Sequence, residues 1–247
     1  MNSISVTSTI RRRMLSRSEP LRVFHSHDYL RHNARRQEHL ASLGIPVAGT
    51  SVLEVGAGIG DHSHYFLDRG CQLTITEARE ENLRVLRRRY PSADIQRLDL
   101  EDPVAITGAP FDVVYCYGTL YHLSDSAPAI QFLSNNCSSA LLLETCVSFG
   151  SEISLNPISE NQKTPSQAFS GVGCRPTRPW VMQELQRHFE FVYVPVTQPN
   201  HEEFPLDWTR PDQYTARLTR AVFVGSRTRM ENPMLSGELP LRQRRHP

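Results

Sequence analysis

Lysine is almost absent. Lys163 is the one lysine among 27 basic residues, which face 26 acidic ones, so 247 residues carry a formal charge of +1. A balance so near zero supplies no global attraction to nucleic acid or to an anionic lipid surface; only a local patch could. There is no run of about 18 apolar residues, which excludes a membrane-spanning helix. Cysteine is scarce and odd in number, with five residues and no CxxC spacing. That pattern fits small buried hydrophobes in a reducing compartment better than a disulfide framework or a zinc knuckle, and the expected location is cytoplasmic. Arg11-Arg12-Arg13 is not followed by an apolar segment, so no secretory signal is read; an Arg- and Ser-rich start fits an organelle transit peptide or a frayed terminus equally well. No internal repeat is present.

The remaining composition, 39% apolar and 21% charged, is that of a folded α/β domain. Residues 1–20 are polar and aperiodic and read as a disordered arm. From about His27 to Leu43 the pattern is helical and closes at Gly44. Ser51–Val55 is a short apolar strand running into Gly56-Ala57-Gly58-Ile59-Gly60, with a helical stretch to about Arg69. Leu73–Thr76, Asp94–Leu98, Phe111–Cys116 and Ala140–Glu144 read as further strands, with a helix from Arg79 to Tyr90. Continuous apolar strands between helices imply a mostly parallel sheet covered on both faces. A helix Arg178–His188 and strands Phe189–Val196 and Arg220–Gly225 complete it. The domain is thus expected over 21–226, with excursions at 147–178 and 197–214 and a flexible tail at 227–247.

The glycine run is the most informative feature. It follows a strand and precedes a helix, at the carboxyl end where open α/β sheets bind ligands, and glycine lets the backbone turn tightly beside one. The spacing is G-x-G-x-G. It is neither the G-x-G-x-x-G of dinucleotide-binding loops nor a P-loop, which needs Lys and Ser/Thr. Glu77 ends the second strand, 21 positions after Gly56, where a carboxylate can accept from ribose hydroxyls; the alternative is an exposed turn acid. Asp99-Leu100-Glu101-Asp102 follows the third strand and could meet an adenine amino group or simply be solvated.

Four blocks in order, V-L-E-V-G-A-G-I-G (52–60), T-I-T-E (74–77), R-L-D-L-E-D (97–102) and F-D-V-V-Y-C-Y-G-T-L-Y-H-L (111–123), resemble the class I S-adenosylmethionine-dependent methyltransferases. The resemblance covers Val52 to about Val147 well and the rest loosely. It implies a Rossmann-like α/β fold whose seven-stranded, mostly parallel sheet has its last strand antiparallel and inserted before the sixth. It further implies that Gly56, Ala57, Gly58 and Gly60 line the cofactor S-adenosyl-L-methionine, with Glu54 near its amino group. Glu77 and Ala78 would lie at the ribose, Asp99 and Leu100 at the adenine edge, and Tyr117 at the methionine side.

Methyl transfer from a sulfonium is an in-line displacement, so alignment and desolvation dominate. A hydroxyl acceptor also benefits from a base. His122 is the candidate by location and near-neutral ordinary pKa, with Tyr121 beside it and Glu144 at a strand end; a packing role is the alternative for His122. T-L-Y-H-L and L-L-L-E-T also resemble the carboxymethyltransferases of tRNA wobble uridine, in which residues matching Tyr121 and Arg220 contact an extra carboxylate. Arginine runs at 11–13, 35–36 and 87–89 could serve RNA or be solvated faces. Glu202, Glu203, Asp207 and Asp212 would repel phosphate near the cleft, which favours a small molecule or glycan as acceptor. Trp180, Trp208, Phe169 and Phe204 are lid candidates, although Trp180, beside a helix start, reads as a packing residue. His25-Ser26-His27 and His62-Ser63-His64 prompt a metal check, but no Cys is near and i, i+2 residues on a helix point apart, so no metal is expected. The expected activity is O-methylation of a small molecule or glycan. RNA modification and a non-catalytic cofactor-binding subunit are the alternatives.

Overall fold

Buried residues run without a break from Val52 to Val55 and from Leu73 to Glu77, so these strands have no solvent face and the sheet must carry helices on both sides. The computed structural model describes residues 20–246; the arm expected over residues 1–20 and Arg11-Arg12-Arg13 lie outside this range, apart from Pro20. Two helices come first, α1 (Pro20–Phe24) and α2 (His27–Ser42). Ser26 caps α2 by accepting from Tyr29 N–H, and Gly44 turns the chain out of it at φ +62°. Then follow β1 (Ser51–Val55), α3 (Ser63–Leu67), β2 (Gln72–Glu77), α4 (Glu80–Arg89), β3 (Asp94–Arg97), β4 (Phe111–Tyr117), α5 (Ala127–Asn135) and β5 (Cys137–Cys146). The second half adds the hairpin β6 (Leu155–Ser159) and β7 (Val172–Pro176), α6 (Arg178–Gln186), β8 (Phe191–Pro195), β9 (Thr197–Gln198), β10 (Arg220–Ser226), β11 (Leu235–Ser236) and β12 (Arg244–Arg245).

The main sheet has the order β11-β8-β10-β5-β4-β1-β2-β3. β1 to β5 pair in parallel, and β10 runs antiparallel between β5 and β8. This is the expected seven-stranded arrangement with one addition. Leu235–Ser236 lies antiparallel against the edge of β8 and makes the sheet eight-stranded. Alternate residues feed two cores. Leu53, Val114, Leu141 and Phe223 meet Ile130, Leu133, Val181 and Leu185 of α5 and α6. Val52, Ile75, Val113 and Leu142 meet Leu40, Phe66, Leu83 and Leu86 of α2, α3 and α4.

Three expectations are corrected. Helix α5 was not anticipated; its Ala129, Ile130 and Leu133 are buried at helical spacing. Residues 147–178 are organised around the β6–β7 hairpin rather than being an irregular excursion. The segment after Ser226 is no loose tail: Gln243 donates to Pro195 O at 2.6 Å and accepts from Trp208 Nε1 at 2.7 Å, and Arg245 donates to the carbonyls of Pro199, His201 and Phe204 at 2.6, 2.8 and 3.0 Å. Polar side chains that satisfy buried carbonyls hold a segment as firmly as apolar ones, which hydropathy does not register. All five cysteines are free and buried. Among the described residues no helix is long and apolar enough to cross a membrane.

Candidate functional site

The loop between β1 and α3 turns on residues with positive φ. Gly56 stands at φ +67° and Gly58 at +59°, a region that costs other residues strain. Both are also hemmed in. A methyl group on Gly56 would overlap the Thr119 side chain, and one on Gly58 would lie 2.9 Å from the Phe24 ring. Gly60 has a different task. Its carbonyl accepts from Tyr90 OH at 2.6 Å and its α-carbon packs against Tyr90 and Leu86, so it seats the end of α4 and stands apart from the cleft lining, contrary to expectation.

Glu77 closes this loop from the neighbouring strand. Its carboxylate accepts from the backbone N–H groups of Gly58 (2.8 Å), Ala78 (2.9 Å) and Arg79 (2.9 Å). Burial pushes its pKa up, opposed by these three donors. A carboxylate offers about four lone-pair sites; three are taken, which leaves one for a ribose hydroxyl rather than the two expected. Glu54, 2% exposed, accepts from Ser63 Oγ at 2.5 Å, and burial pushes its pKa up to about 8.

These groups form one wall of a cleft that is open to solvent. Of the expected cofactor residues, Glu54, Gly56, Ala57, Gly58, Glu77, Ala78, Asp99, Leu100 and Tyr117 all line it. Sequence reasoning missed a second wall. Phe24 of α1 and Tyr29, Asn33 and Arg36 of α2 face the glycine loop, and 165–167 with Phe169 cover the far end. Buried Tyr117 OH, Asn33 Oδ1 and Arg36 Nε have no hydrogen-bond partner among the described residues. Buried polar atoms are nearly always satisfied, and these three belong to residues that line one cleft.

Beneath the second wall lies a buried ion network. Glu144, wholly buried, accepts from Arg36 Nη1 at 3.1 Å and Arg220 Nη1 at 3.0 Å. Arg220 also donates through Nε to Glu203 at 2.7 Å and through Nη2 to Tyr121 OH at 3.3 Å. Arg36 donates to His62 Nε2 at 3.4 Å, which leaves His62 Nδ1–H for Tyr115 OH at 2.5 Å. Tyr121 therefore faces Arg220 and is not part of the cleft lining. Burial pushes its hydroxyl pKa up, away from base chemistry. Tyr121 and Arg220 do meet, but Arg220 is buried, already pairs with Glu144 and Glu203, and like Tyr121 is absent from the cleft lining, so the pair does not present a free fork to an extra ligand carboxylate.

His122 does line the cleft. Its Nδ1 lies 2.5 Å from Glu160 Oε2 at the end of β6, and Arg175 Nη2 holds the other carboxylate oxygen at 3.3 Å. Burial lowers the His122 pKa against the pull of Glu160, so the imidazole is neutral near pH 7. Of the aromatic lid candidates only Phe169 borders the cleft; Phe204 is fully buried, Trp180 packs on the core, and Trp208 stacks on Arg178 at 4.0 Å around a separate hollow. Of the acidic residues expected to repel phosphate, Glu202 pairs with Arg31, Glu203 with Arg220 and Asp207 with Arg242, Asp212 is exposed, and none of the four lines the cleft. Arg36, expected on a solvated face, is buried. In the second HxH pair, His62 is buried and His64 exposed, pointing apart. Three residues distant in sequence, His32, His201 and Glu203, do bring ligand-type atoms within 4.8 Å of one another, although the Glu203 carboxylate is already paired with Arg220.

Residues 52–138, from β1 into β5, match the family model of a methyltransferase domain. No curated protein sequence matches the chain. Among solved structures, the chain is similar to the N-terminal domain of EvdMO1 crystallised with S-adenosylhomocysteine and D-fucose, at 20% identity and a TM-score of 0.61 over 78% of this chain and 82% of that one. An S-adenosylmethionine-dependent methyltransferase from Mesorhizobium loti aligns at 16% identity and TM-score 0.56, over 80% and 100%. The glycopeptide N-methyltransferase MtfA complexed with S-adenosylhomocysteine aligns at 17% and 0.52, over 78% and 88%. The common ground is the fold, an α/β domain with a mainly parallel, Rossmann-like central sheet.

Proposed function

Taking residues 52–138 as a class I methyltransferase domain, we propose that the chain moves the methyl group of S-adenosylmethionine to a hydroxyl of a small molecule or glycan. The observation that carries this reading is the pairing of a glycine loop with Glu77 in one cleft that also holds three unsatisfied polar atoms. The residues present fit the cofactor. Glu77 has one acceptor site left for a ribose hydroxyl, and Asp99 and Leu100, which line the same cleft, would meet the adenine edge. Tyr117 OH, Asn33 Oδ1 and Arg36 Nε offer donors and acceptors for an amino-acid end, with Glu54 behind the loop. When bound, the cofactor supplies an electrophilic methyl on a sulfonium.

The protein's own part is alignment, water exclusion and proton removal. Residues of α1 and α2 and of the segment 165–167 with Phe169 line the same cleft as the glycine loop and would help to exclude water from it. His122, neutral near pH 7 and exposed to the cleft, takes the acceptor's proton. An imidazole at the cleft surface, His122, suits a hydroxyl acceptor, whose proton it can take. EvdMO1, crystallised with D-fucose, supports the glycan side of this reading. The RNA-modifying alternative is not favoured, because Arg220 is buried, is already paired with two carboxylates and does not line the cleft.

Labelled S-adenosylmethionine offered to extracts separated into glycan, small-molecule and RNA fractions tests the proposal. Label in either of the first two is expected. Label in RNA alone would overturn the acceptor assignment, and no label despite tight cofactor binding would make the chain a non-catalytic binding subunit.

A further inference from the structure

The hairpin β6–β7 is docked on the short 3₁₀ turn Leu120–His122 by contacts with no counterpart in the glycine-loop motifs. Gly173 of β7 lies so close that a side chain there would come within 2.6 Å of Tyr121 O. Arg175 Nη1 donates to Tyr121 O at 3.3 Å and its Nη2 to Glu160 Oε1 at 3.3 Å. Ala168 N–H donates to Glu160 Oε2 at 2.6 Å. The Glu160 carboxylate is thereby fixed from two sides and presented to His122 Nδ1 at 2.5 Å.

Resting on the methyltransferase reading above, we propose that Glu160 is a positioning residue that holds His122 in the Nδ1–H tautomer, with the Nε2 lone pair open to the cleft. A neutral imidazole that donates through one nitrogen must accept through the other, and Glu160, ionised and acceptor-only, admits only the donating form of Nδ1. Nε2 has no protein partner among the described residues, and His122 borders the cleft. The proton balance is complete. As the acceptor oxygen bonds to the methyl carbon, its proton passes to Nε2, the carbon–sulfur electron pair stays with sulfur, and the imidazolium returns the proton to water. Glu160 keeps its charge throughout and stabilises the imidazolium without being protonated, the division of labour seen when a carboxylate orients a catalytic histidine. The charged and titratable groups around the ring are Glu160 on the hairpin, Arg175 on β7, Arg220 on β10 and the adjacent Tyr121. Of these only Glu160 favours the imidazolium, and the two arginines oppose it.

The test needs no acceptor. Long-range ¹H–¹⁵N spectra of the full chain, with His122→Asn identifying the resonances, should show His122 as the Nδ1–H tautomer at pH 8. Glu160→Ala should turn it into a mixture dominated by Nε2–H. Glu160→Gln, which preserves the shape and one acceptor, should keep the tautomer but lower the His122 titration midpoint by about one unit, since it removes a neighbouring negative charge. Where an acceptor is in hand, both variants should lose tenfold or more in kcat while cofactor affinity stays within twofold. An unchanged His122 spectrum and midpoint in both variants would overturn the proposal. Absence of S-adenosylhomocysteine binding by the parent chain would instead overturn the methyltransferase reading and leave the tautomer result standing.

Discussion

Glu144→Gln removes the charge that two buried arginines share. Glu144 has no exposed surface, and Arg36 and Arg220 are 6% and 5% exposed, so neither guanidinium can turn to water without opening the fold. The carboxylate accepts from one arginine at each oxygen, at 3.1 and 3.0 Å. An amide keeps one acceptor and points an NH₂ donor at the other guanidinium, and breaking a buried pair in this way costs about 3–5 kcal/mol. Against a total stability of about 5–15 kcal/mol, about a fifth or more of the margin is lost. At about 2–4 °C per kcal/mol for a chain of this size, the midpoint of thermal unfolding should fall by about 6–20 °C. Scanning fluorimetry with urea titration measures it, and the loss should persist in high salt because the pairs are screened little by ions. A midpoint within 1 °C of the parent would mean that the network contributes nothing to stability. Since Arg36 also borders the cleft, cofactor affinity should fall in the same variant.

Gly56→Ala places a side chain at φ +67° and into Thr119, so cofactor affinity measured by calorimetry should drop at least tenfold; an unchanged affinity would mean that the loop is not the cofactor's seat. Glu54 has a pKa of about 8 in the folded chain, above its ordinary value of 4.5. The folded state therefore binds the proton more tightly, and this residue's contribution to stability falls as pH rises from about 4.5 to 8. Glu54→Gln should flatten that fall in urea titrations at pH 5 and pH 8.5, and an identical slope in parent and variant would contradict the assignment. His122→Ala should cut transfer to a hydroxyl acceptor by about 10²–10⁴ while leaving S-adenosylhomocysteine binding intact; full turnover would eliminate the base.

The half of the sheet that carries the glycine loop was legible because β1 and β2 are short runs rich in apolar and β-branched residues, and the residues at their ends, Gly56 just after β1 and Glu77 closing β2, are chemically distinctive. The order and direction of β10 followed from the family resemblance. Helix α5 escaped because Pro128 opens it and Ser134 and Asn135 close it, so its apolar stripe is only Ala129, Ile130 and Leu133. β5 starts three residues earlier than its apolar core because Ser138 and Ser139 point outward. The second wall of the cleft was invisible for a different reason. Asn33 and Arg36 share the buried face of α2 with His32, His39 and Leu40, and a polar stripe at helical spacing reads as a solvated face. The usable signal was the opposite one: polar and apolar residues sharing a single helical face imply a buried network. Glu160 carried no local signal at all, since the β6–β7 hairpin delivers it from 38 positions beyond His122.

Isothermal calorimetry of the full chain with S-adenosylhomocysteine bears most directly on the whole reading. One molecule per chain should bind with a measurable exothermic signal, and Glu77→Ala, which removes both the loop's anchor and the last ribose acceptor site, should weaken it by a hundredfold or so. No heat from the parent chain, or equal affinity in parent and Glu77→Ala, would contradict it.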